Sequence, residues 1–212
     1  MDLTPVINQF FHVFIYLLPV VIIIGLIKSP WFKGRTGEAK VNFSSKMSLN
    51  KDEYHLLKNV TLPTRDGTTQ IDHIIVSKYG IFVIETKNMK GWIFGNPRQK
   101  TWTQKIYKHT NTFQNPLHQN YKHVKTLESF LGIPENKIYS VIVFAGDSTF
   151  KTKMPENVVT TGGYIKFIKS KRQVVFTENE VKEITKSIQS GRLSPSFKTH
   201  VNHVKHVQSI VD

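Results

Sequence analysis

The chain has 212 residues, 39% of them hydrophobic, which suits one domain of ordinary size plus an appendage and excludes a disordered tail. It contains no cysteine, so disulfides, thiolate zinc sites and cysteine nucleophiles are excluded. Its 29 Lys and Arg against 15 Asp and Glu leave a formal charge of +14, a balance that favours a polyanionic partner: nucleic acid or an acidic membrane surface.

Residues 10–27, FFHVFIYLLPVVIIIGLI, carry no Asp, Glu, Lys or Arg. As a helix rising about 1.5 Å per residue, this run approaches the ~30 Å hydrocarbon thickness of a bilayer. Val6 and Ile7 extend its apolar character, and Pro19 is tolerable as a kink. A cleaved signal peptide needs basic residues ahead of the apolar run, where Asp2 is the only charged side chain. The basic residues Lys28, Lys33 and Arg35 come after it, with Trp31 and Phe32 at interfacial depth. By the positive-inside rule the N-terminus lies outside and the remainder in the cytoplasm. Residues 1–28 are therefore expected to be a single-pass anchor in the cell membrane, in contact with lipid through 6–27, and residues 29–36 a basic linker. A buried helix of a soluble protein is the alternative.

Residues 37–190 are expected to form the folded domain. A polar helix is predicted over 37–48, then a strand over 54–62, and Asp66-Gly67 marks a turn. Strands follow over 70–77 and 81–86, joined by a turn at 78–80. Residues 91–104 suggest a second hairpin with Gly95-Asn96-Pro97 in its loop. A helix over 115–132 has Asn115 as N-cap, Pro116 in the first turn and Gly132 as its stop. The apolar run 138–146 has the character of a buried strand, and 157–161 of another. Thr177 three residues before Glu180 is a capping-box pattern that opens a helix to residue 188. Strands and helices in this order predict an α/β or α+β domain built on one central sheet. Residues 191–212 are expected to be a tail or a short amphipathic helix. There His200, His203 and His206 share a three-residue period with Val201, Val204 and Val207, and they are read as flanking a buried stripe rather than as metal ligands.

The stretch IDHIIVSKYGIFVIETKN, residues 71–88, is where chemistry concentrates. Glu85 and Lys87 stand two apart on a strand and project to one face. Asp72 on the neighbouring strand can bring a second carboxylate to them. Two carboxylates with a backbone carbonyl make a hard-oxygen site suited to Mg²⁺ or Mn²⁺. A lysine beside them can orient water and neutralise charge on a phosphate, the requirements of metal-assisted phosphodiester hydrolysis. The spacing alone equally fits a solvated strand end with a surface ion pair.

Further residues supply context. Gly37-Glu38, the stretch QIDHIIVSKYGIFVIETKNMKGWIFG, the tryptophan of KTWTQ and the helix start QNPLHQN together resemble the NERD (nuclease-related) domain, a member of the PD-(D/E)xK restriction-endonuclease-like superfamily. The resemblance runs from about residue 37 to 188 and is most specific over 70–95. It implies a central mixed sheet flanked by helices and a role in DNA processing. It also implies that Asp72 and Glu85 hold the metal, that Lys87 is the catalytic lysine, and that Glu38 joins the metal site from the first helix. Gln70, two before Asp72, is expected on the same side as an auxiliary group. Relatives place a polar residue from the following helix near the metal, for which Gln119 is the first candidate and Gln114 the second. The zinc ribbons of some relatives need cysteines that this chain lacks.

No acid occurs between Glu85 and Glu128, an interval that holds Lys87, Lys90, Arg98, Lys100, Lys105, Lys108, Lys122 and Lys125. These cations are expected to form a nucleic-acid-facing surface. Trp92, Phe94, Trp102 and Tyr107 are interleaved with them, and exposed aromatics can stack on bases. Trp92 and Trp102 are instead expected in the core, because their hairpin must pack against something. The resulting expectation is a membrane-anchored cytoplasmic Mg²⁺- or Mn²⁺-dependent nuclease acting on DNA. The alternatives are a non-catalytic module that holds nucleic acid at the membrane, and an adaptor whose basic residues face anionic lipid.

Overall fold

The structure, a computed structural model, describes the backbone of residues 4–64 and 67–193, with side chains from residue 13 onward in those ranges. His200, His203, His206 and the expected C-terminal tail lie outside the described residues. The chain opens with helix α1 (Thr4–Lys28), which contains Pro19, and helix α2 (Pro30–Ser48). Ser29 caps α2 by accepting the Phe32 N–H on its Oγ at 3.2 Å, and Pro30 supplies the preset φ of a first turn. Residues 30–36 are therefore helical, not the linker expected. Among the described residues no single helix is long and apolar enough to cross a membrane, whereas Val13–Lys28 and Pro30–Ser48, bent by 57°, pass that test as a pair. Every large apolar side chain from Val13 to Ile27 is 43–74% exposed.

The strands are β1 (Tyr54–Thr64), β2 (Gly67–Ser77), β3 (Gly80–Lys87), β4 (Gly91–Phe94), β5 (Thr101–Ile106), β6 (His109–Gln114), β7 (Ile138–Phe144), β8 (Ser148–Phe150) and β9 (Val158–Thr160). Helix α3 (Pro116–Leu131) lies between β6 and β7, and helices α4 (Tyr164–Ser170) and α5 (Glu178–Gly191) close the domain. Instead of one sheet the described residues form two, both mixed, ordered β1-β2-β3-β7-β9 and β6-β5-β4-β8. The split occurs after β3, where Gly91 takes φ +82° and leaves no room for a β-carbon against Lys105 O, so the chain turns away to start a new ladder. Two strands of the second sheet, HTNTFQ and STF, have too little apolar character to announce themselves.

The first sheet is covered on both faces, which explains the nearly continuous apolar run of β3. Ile81 and Val83 pack into a cluster with Val124 and Leu127 of α3 and Val181, Ile184 and Ile188 of α5. Phe82 and Ile84 alternate to the other face and meet Val41 of α2 and Tyr164 and Ile168 of α4. Both predicted caps are present: the Thr177–Glu180 capping box opens α5, and Gly132 at φ 65° ends α3.

The second sheet buries one face only. Ile93 and Trp102 turn inward onto Ile142 and Phe144. Trp102 lies against Gly95, where a β-carbon has no room, and its Nε1 donates to Asn96 O at 3.0 Å. Trp102 is buried as expected. Trp92 is not: it is 47% exposed, because alternation from the inward Ile93 turns its neighbour out. Asn115 ties this sheet to α3. Its Oδ1 accepts the Leu117 N–H at 2.9 Å, while its Nδ2 donates to Pro97 O at 3.1 Å and Gln99 O at 2.7 Å.

Candidate active site

The site forms where β2 parts from β3. The β1–β2 ladder is interrupted at Asn59 and Asp72, between the pairs Lys58↔His73 and Val60↔Ile71. Asn59 adopts φ 50°, a left-handed conformation that Asn tolerates better than most residues. Across this break the side facing α3 switches: Ile74 and Val76 face it, and so does Ile71. The β2–β3 ladder stops at His73↔Ile84, and the Thr86 N–H donates instead to Asp72 Oδ2 at 3.0 Å. A carboxylate thus stands where a ladder carbonyl would otherwise be. On its far side β3 stays paired with β7 as far as Lys87↔Phe144, which holds Glu85 and Lys87 on a rigid strand.

Glu85 is only 3% exposed. Its Oε1 is 2.8 Å from Lys87 Nζ, which also donates to Gln119 Oε1 of α3 at 2.8 Å. On the other side, Glu85 Oε2 is 3.4 Å from His123 Nε2, and His123 Nδ1 is 2.8 Å from Thr69 Oγ1. A polar chain, Gln119–Lys87–Glu85–His123–Thr69, therefore runs beneath the parted strands.

The acids repel one another. Burial first, and Glu85 second, push the Asp72 carboxyl well above the usual carboxylate range, offset in part by the Thr86 N–H. Burial also raises Glu38, with Arg35 opposing and Glu85 reinforcing the shift. Burial acts upward on Glu85 too, but the Lys87 ammonium and His123 outweigh it and hold this carboxyl below its ordinary value. Glu85 is thus the ionised member and Asp72 the one that tends to keep its proton. His73, fully buried beside them, is pushed down to about 4 by burial and by Lys58, so it is neutral at pH 7.

These residues fit a divalent cation in donor chemistry. Three mutually repelling carboxyls, Glu38, Asp72 and Glu85, are offset by the Lys87 ammonium and, at Glu38, by Arg35, and all of their donor atoms are hard oxygens. Among the described residues no group of three or more His, Asp or Glu side chains is placed to hold a metal ion. Mg²⁺ needs none, since it is usually held by one or two carboxylates with water and substrate phosphate completing its shell.

The structure thus brings together Asp72, Glu85, Lys87 and Gln119, with Glu38 near enough to act on both acids through its charge. Gln70 lies between Thr69 and Ile71, which face α3, and so turns to the opposite face of β2, where it is paired with Thr61 of β1. Gln114 is exposed at the end of β6, paired with Thr101. Lys90, Arg98, Lys100, Lys105, Lys108 and Lys122 are exposed. Lys125 is instead engaged by Glu128 at 2.8 Å and Glu135 at 2.6 Å, so its charge is already matched. Sequence reasoning missed His123 and Thr69 as supports of Glu85. The four-residue spacing of Gln119 and His123 on one helical face was the available signal. It also missed Asn120, whose Nδ2 donates to Val83 O at 2.9 Å and Ser140 Oγ at 2.8 Å and so docks α3 onto β3 and β7.

The profile of a protein family described as nuclease-related domain (NERD) matches residues 33–145. An uncharacterized protein of Bacillus anthracis is 35% identical over 185 residues, covering 85% of this chain and 86% of that protein. No solved structure matches.

Proposed function

The chain belongs to the nuclease-related domain family, and from that premise we propose that it is a metal-dependent nuclease of DNA phosphodiester bonds, held at the cell membrane by its N-terminal helix. The observation that carries this reading is the parting of β2 from β3, which sets Asp72 against the Thr86 N–H and leaves Glu85 and Lys87 presented by a rigid strand. A structural ion pair needs no such opening in a sheet.

In the proposed reaction Glu38, Asp72 and Glu85 would hold Mg²⁺ or Mn²⁺. When bound, the cation supplies Lewis acidity to the scissile phosphate. Lys87 orients the attacking water and matches the charge that develops on the phosphate oxygens. Gln119 holds the Lys87 ammonium in place, so that its donors are aimed before substrate arrives. His123 holds Glu85. Thr69 can donate to His123 Nδ1, which leaves Nε2 as the protonated nitrogen facing the carboxylate. The exposed cations Lys90, Arg98, Lys100, Lys105, Lys108 and Lys122 would track the phosphate backbone.

Support for the anchor is the exposed apolar surface of α1, far larger than soluble proteins leave in water. Lys28, Lys33 and Arg35 beyond it favour a cytoplasmic domain. Alkaline carbonate extraction of membranes should leave the full chain in the pellet and release a chain lacking residues 1–28. Release of both would remove the anchor from the account.

The test of catalysis is cleavage of DNA by the purified full chain in detergent. Mg²⁺ or Mn²⁺ should be required, and Lys87→Ala or Glu85→Ala should abolish cutting while leaving the thermal unfolding transition in place. Cleavage that survives both substitutions would sink the assignment. The alternative of a non-catalytic nucleic-acid-binding module draws support from the lack, among the described residues, of three His, Asp or Glu side chains placed to hold a metal ion. It predicts salt-dependent binding with no divalent-dependent cutting.

A further inference from the structure

Among the described residues no layer packs on the outer face of the second sheet, and the composition of this face is unusual for a surface that only meets water. Residues paired directly across a ladder share a face. One row reads Thr110, Lys105, Trp92, Thr149 across β6, β5, β4 and β8. The next row holds Thr112, Thr103 and Phe94. Neither row contains an acid. Trp92 is 47% exposed, and Lys151 Nζ stands 4.5 Å from the centre of its indole ring. At one end of the face, Tyr107 is 92% exposed at φ 52° in the β5–β6 turn, beside exposed Lys108.

We propose that this face binds an unpaired nucleic-acid strand, with a base stacked on Trp92 and the phosphates carried by Lys105 and Lys151. The proposal rests on the nuclease reading for its link to catalysis, and it names the substrate form: single-stranded or locally opened nucleic acid rather than closed duplex. A duplex keeps its base faces within its own stack and offers nothing to an indole on a sheet. An opened strand offers both base faces and a phosphate chain, which an aromatic platform flanked by cations matches. The threonine hydroxyls of both rows add donors that suit phosphate without selecting a sequence. Lys151 has a place in either state: over the indole when the face is free, or on a phosphate when a base takes the ring.

Position also favours the idea. Trp92 follows Lys87 by five residues, so at most about 18 Å of extended chain separates them. That distance is about five nucleotides of stacked strand at ~3.4 Å each. A strand gripped on this face could therefore place a nearby phosphodiester at the parted strands.

The experiment uses the full chain in detergent micelles, with EDTA present so that nothing is cut. Fluorescence anisotropy compares a labelled oligo-dT of about 15 nucleotides with a duplex of equal length. The wild type should bind the single strand more tightly. Trp92→Ala should weaken single-strand binding about 5- to 150-fold, the loss expected from one stacked base, and leave duplex binding unchanged. Trp92→Phe, which keeps an aromatic face, should stay within a few-fold of wild type. Single-strand affinity indifferent to Trp92→Ala, in a variant that unfolds at the wild-type temperature, overturns the proposal; so does equal wild-type affinity for duplex and single strand. The nuclease reading fails separately. Trp92-dependent binding by a protein that cuts nothing with Mg²⁺ removes the nuclease and leaves this surface. Lys87-dependent cutting without Trp92-dependent binding does the reverse.

Discussion

Replacing Asp72 tests whether the parted strands store repulsion for a function. Asp72→Asn keeps an oxygen to accept the Thr86 N–H, now 3.0 Å from Asp72 Oδ2, and removes one of three neighbouring carboxyls. Asp72→Ala removes both the charge and the acceptor. The folded-state pKa of Asp72 is raised above its unfolded value of 3.8, by burial and then by Glu85. Its contribution to stability is therefore fully present below 3.8 and is lost as the pH climbs through the raised folded value. At neutral pH without metal, Asp72→Asn should accordingly stabilise the protein by about 0.5–2 kcal/mol, the usual gain on relieving a functional site. In a chain of this size each kcal/mol moves Tm by about 2–4 °C. Asp72→Ala should fall below Asp72→Asn by about 1–3 kcal/mol, the penalty of a partly buried N–H left without a partner. Thermal unfolding followed by circular dichroism in EDTA measures both. Mg²⁺ should then raise the wild-type Tm, by about 2.7 kcal/mol of stability at a hundredfold excess over Kd, and have little effect on Asp72→Asn. An Asp72→Asn protein that melts as low as Asp72→Ala would refute the reasoning, since the charge would then be stabilising the apo fold.

Other substitutions probe the scaffold around the site. Asn115→Ala removes the cap of α3 and the donor that holds the 96–99 loop, and should lose on the order of 2–4 kcal/mol in urea unfolding. Gly95→Ala forces a β-carbon against the Trp102 ring and should lose about 1–3 kcal/mol, with a shift in tryptophan emission as the indole becomes wetter. His123→Leu frees Glu85 on one side, so Mn²⁺ affinity measured by calorimetry, and cleavage with it, should drop about 10- to 100-fold while the fold is kept. An unchanged Mn²⁺ affinity would make His123 a packing residue only.

Much of this architecture was legible in the residues because local and global signals agreed. Asn115-Pro116 at the start of α3, Gly132 at its end and the Thr177–Glu180 box each have one good structural use, and each is found in it. The convergence of Asp72, Glu85 and Lys87 followed from strand periodicity and a short turn. What was illegible depended on long-range geometry. β6 is mostly polar and exposed, so nothing but its pairing with β5 makes it a strand. Trp92 and Trp102 look equivalent in a list of apolar residues, and only the inward turn of Ile93 decides that one is buried and the other faces out. The break of the β1–β2 ladder at Asn59 and Asp72, with Asn59 in a left-handed backbone, has no signal in the local pattern. The helical start of α2 was hidden because Lys33, Gly34 and Arg35 look like linker composition, while its cap, Ser29-Pro30, was there to be seen.

The most direct test of the central claim is anomalous diffraction from crystals of the protein soaked in Mn²⁺. The account predicts a single strong peak between the Asp72 and Glu85 carboxylates, with Glu38 nearby and Lys87 still bonded to Gln119. A saturating soak with no peak there, or with Mn²⁺ bound only at other acids, would contradict it.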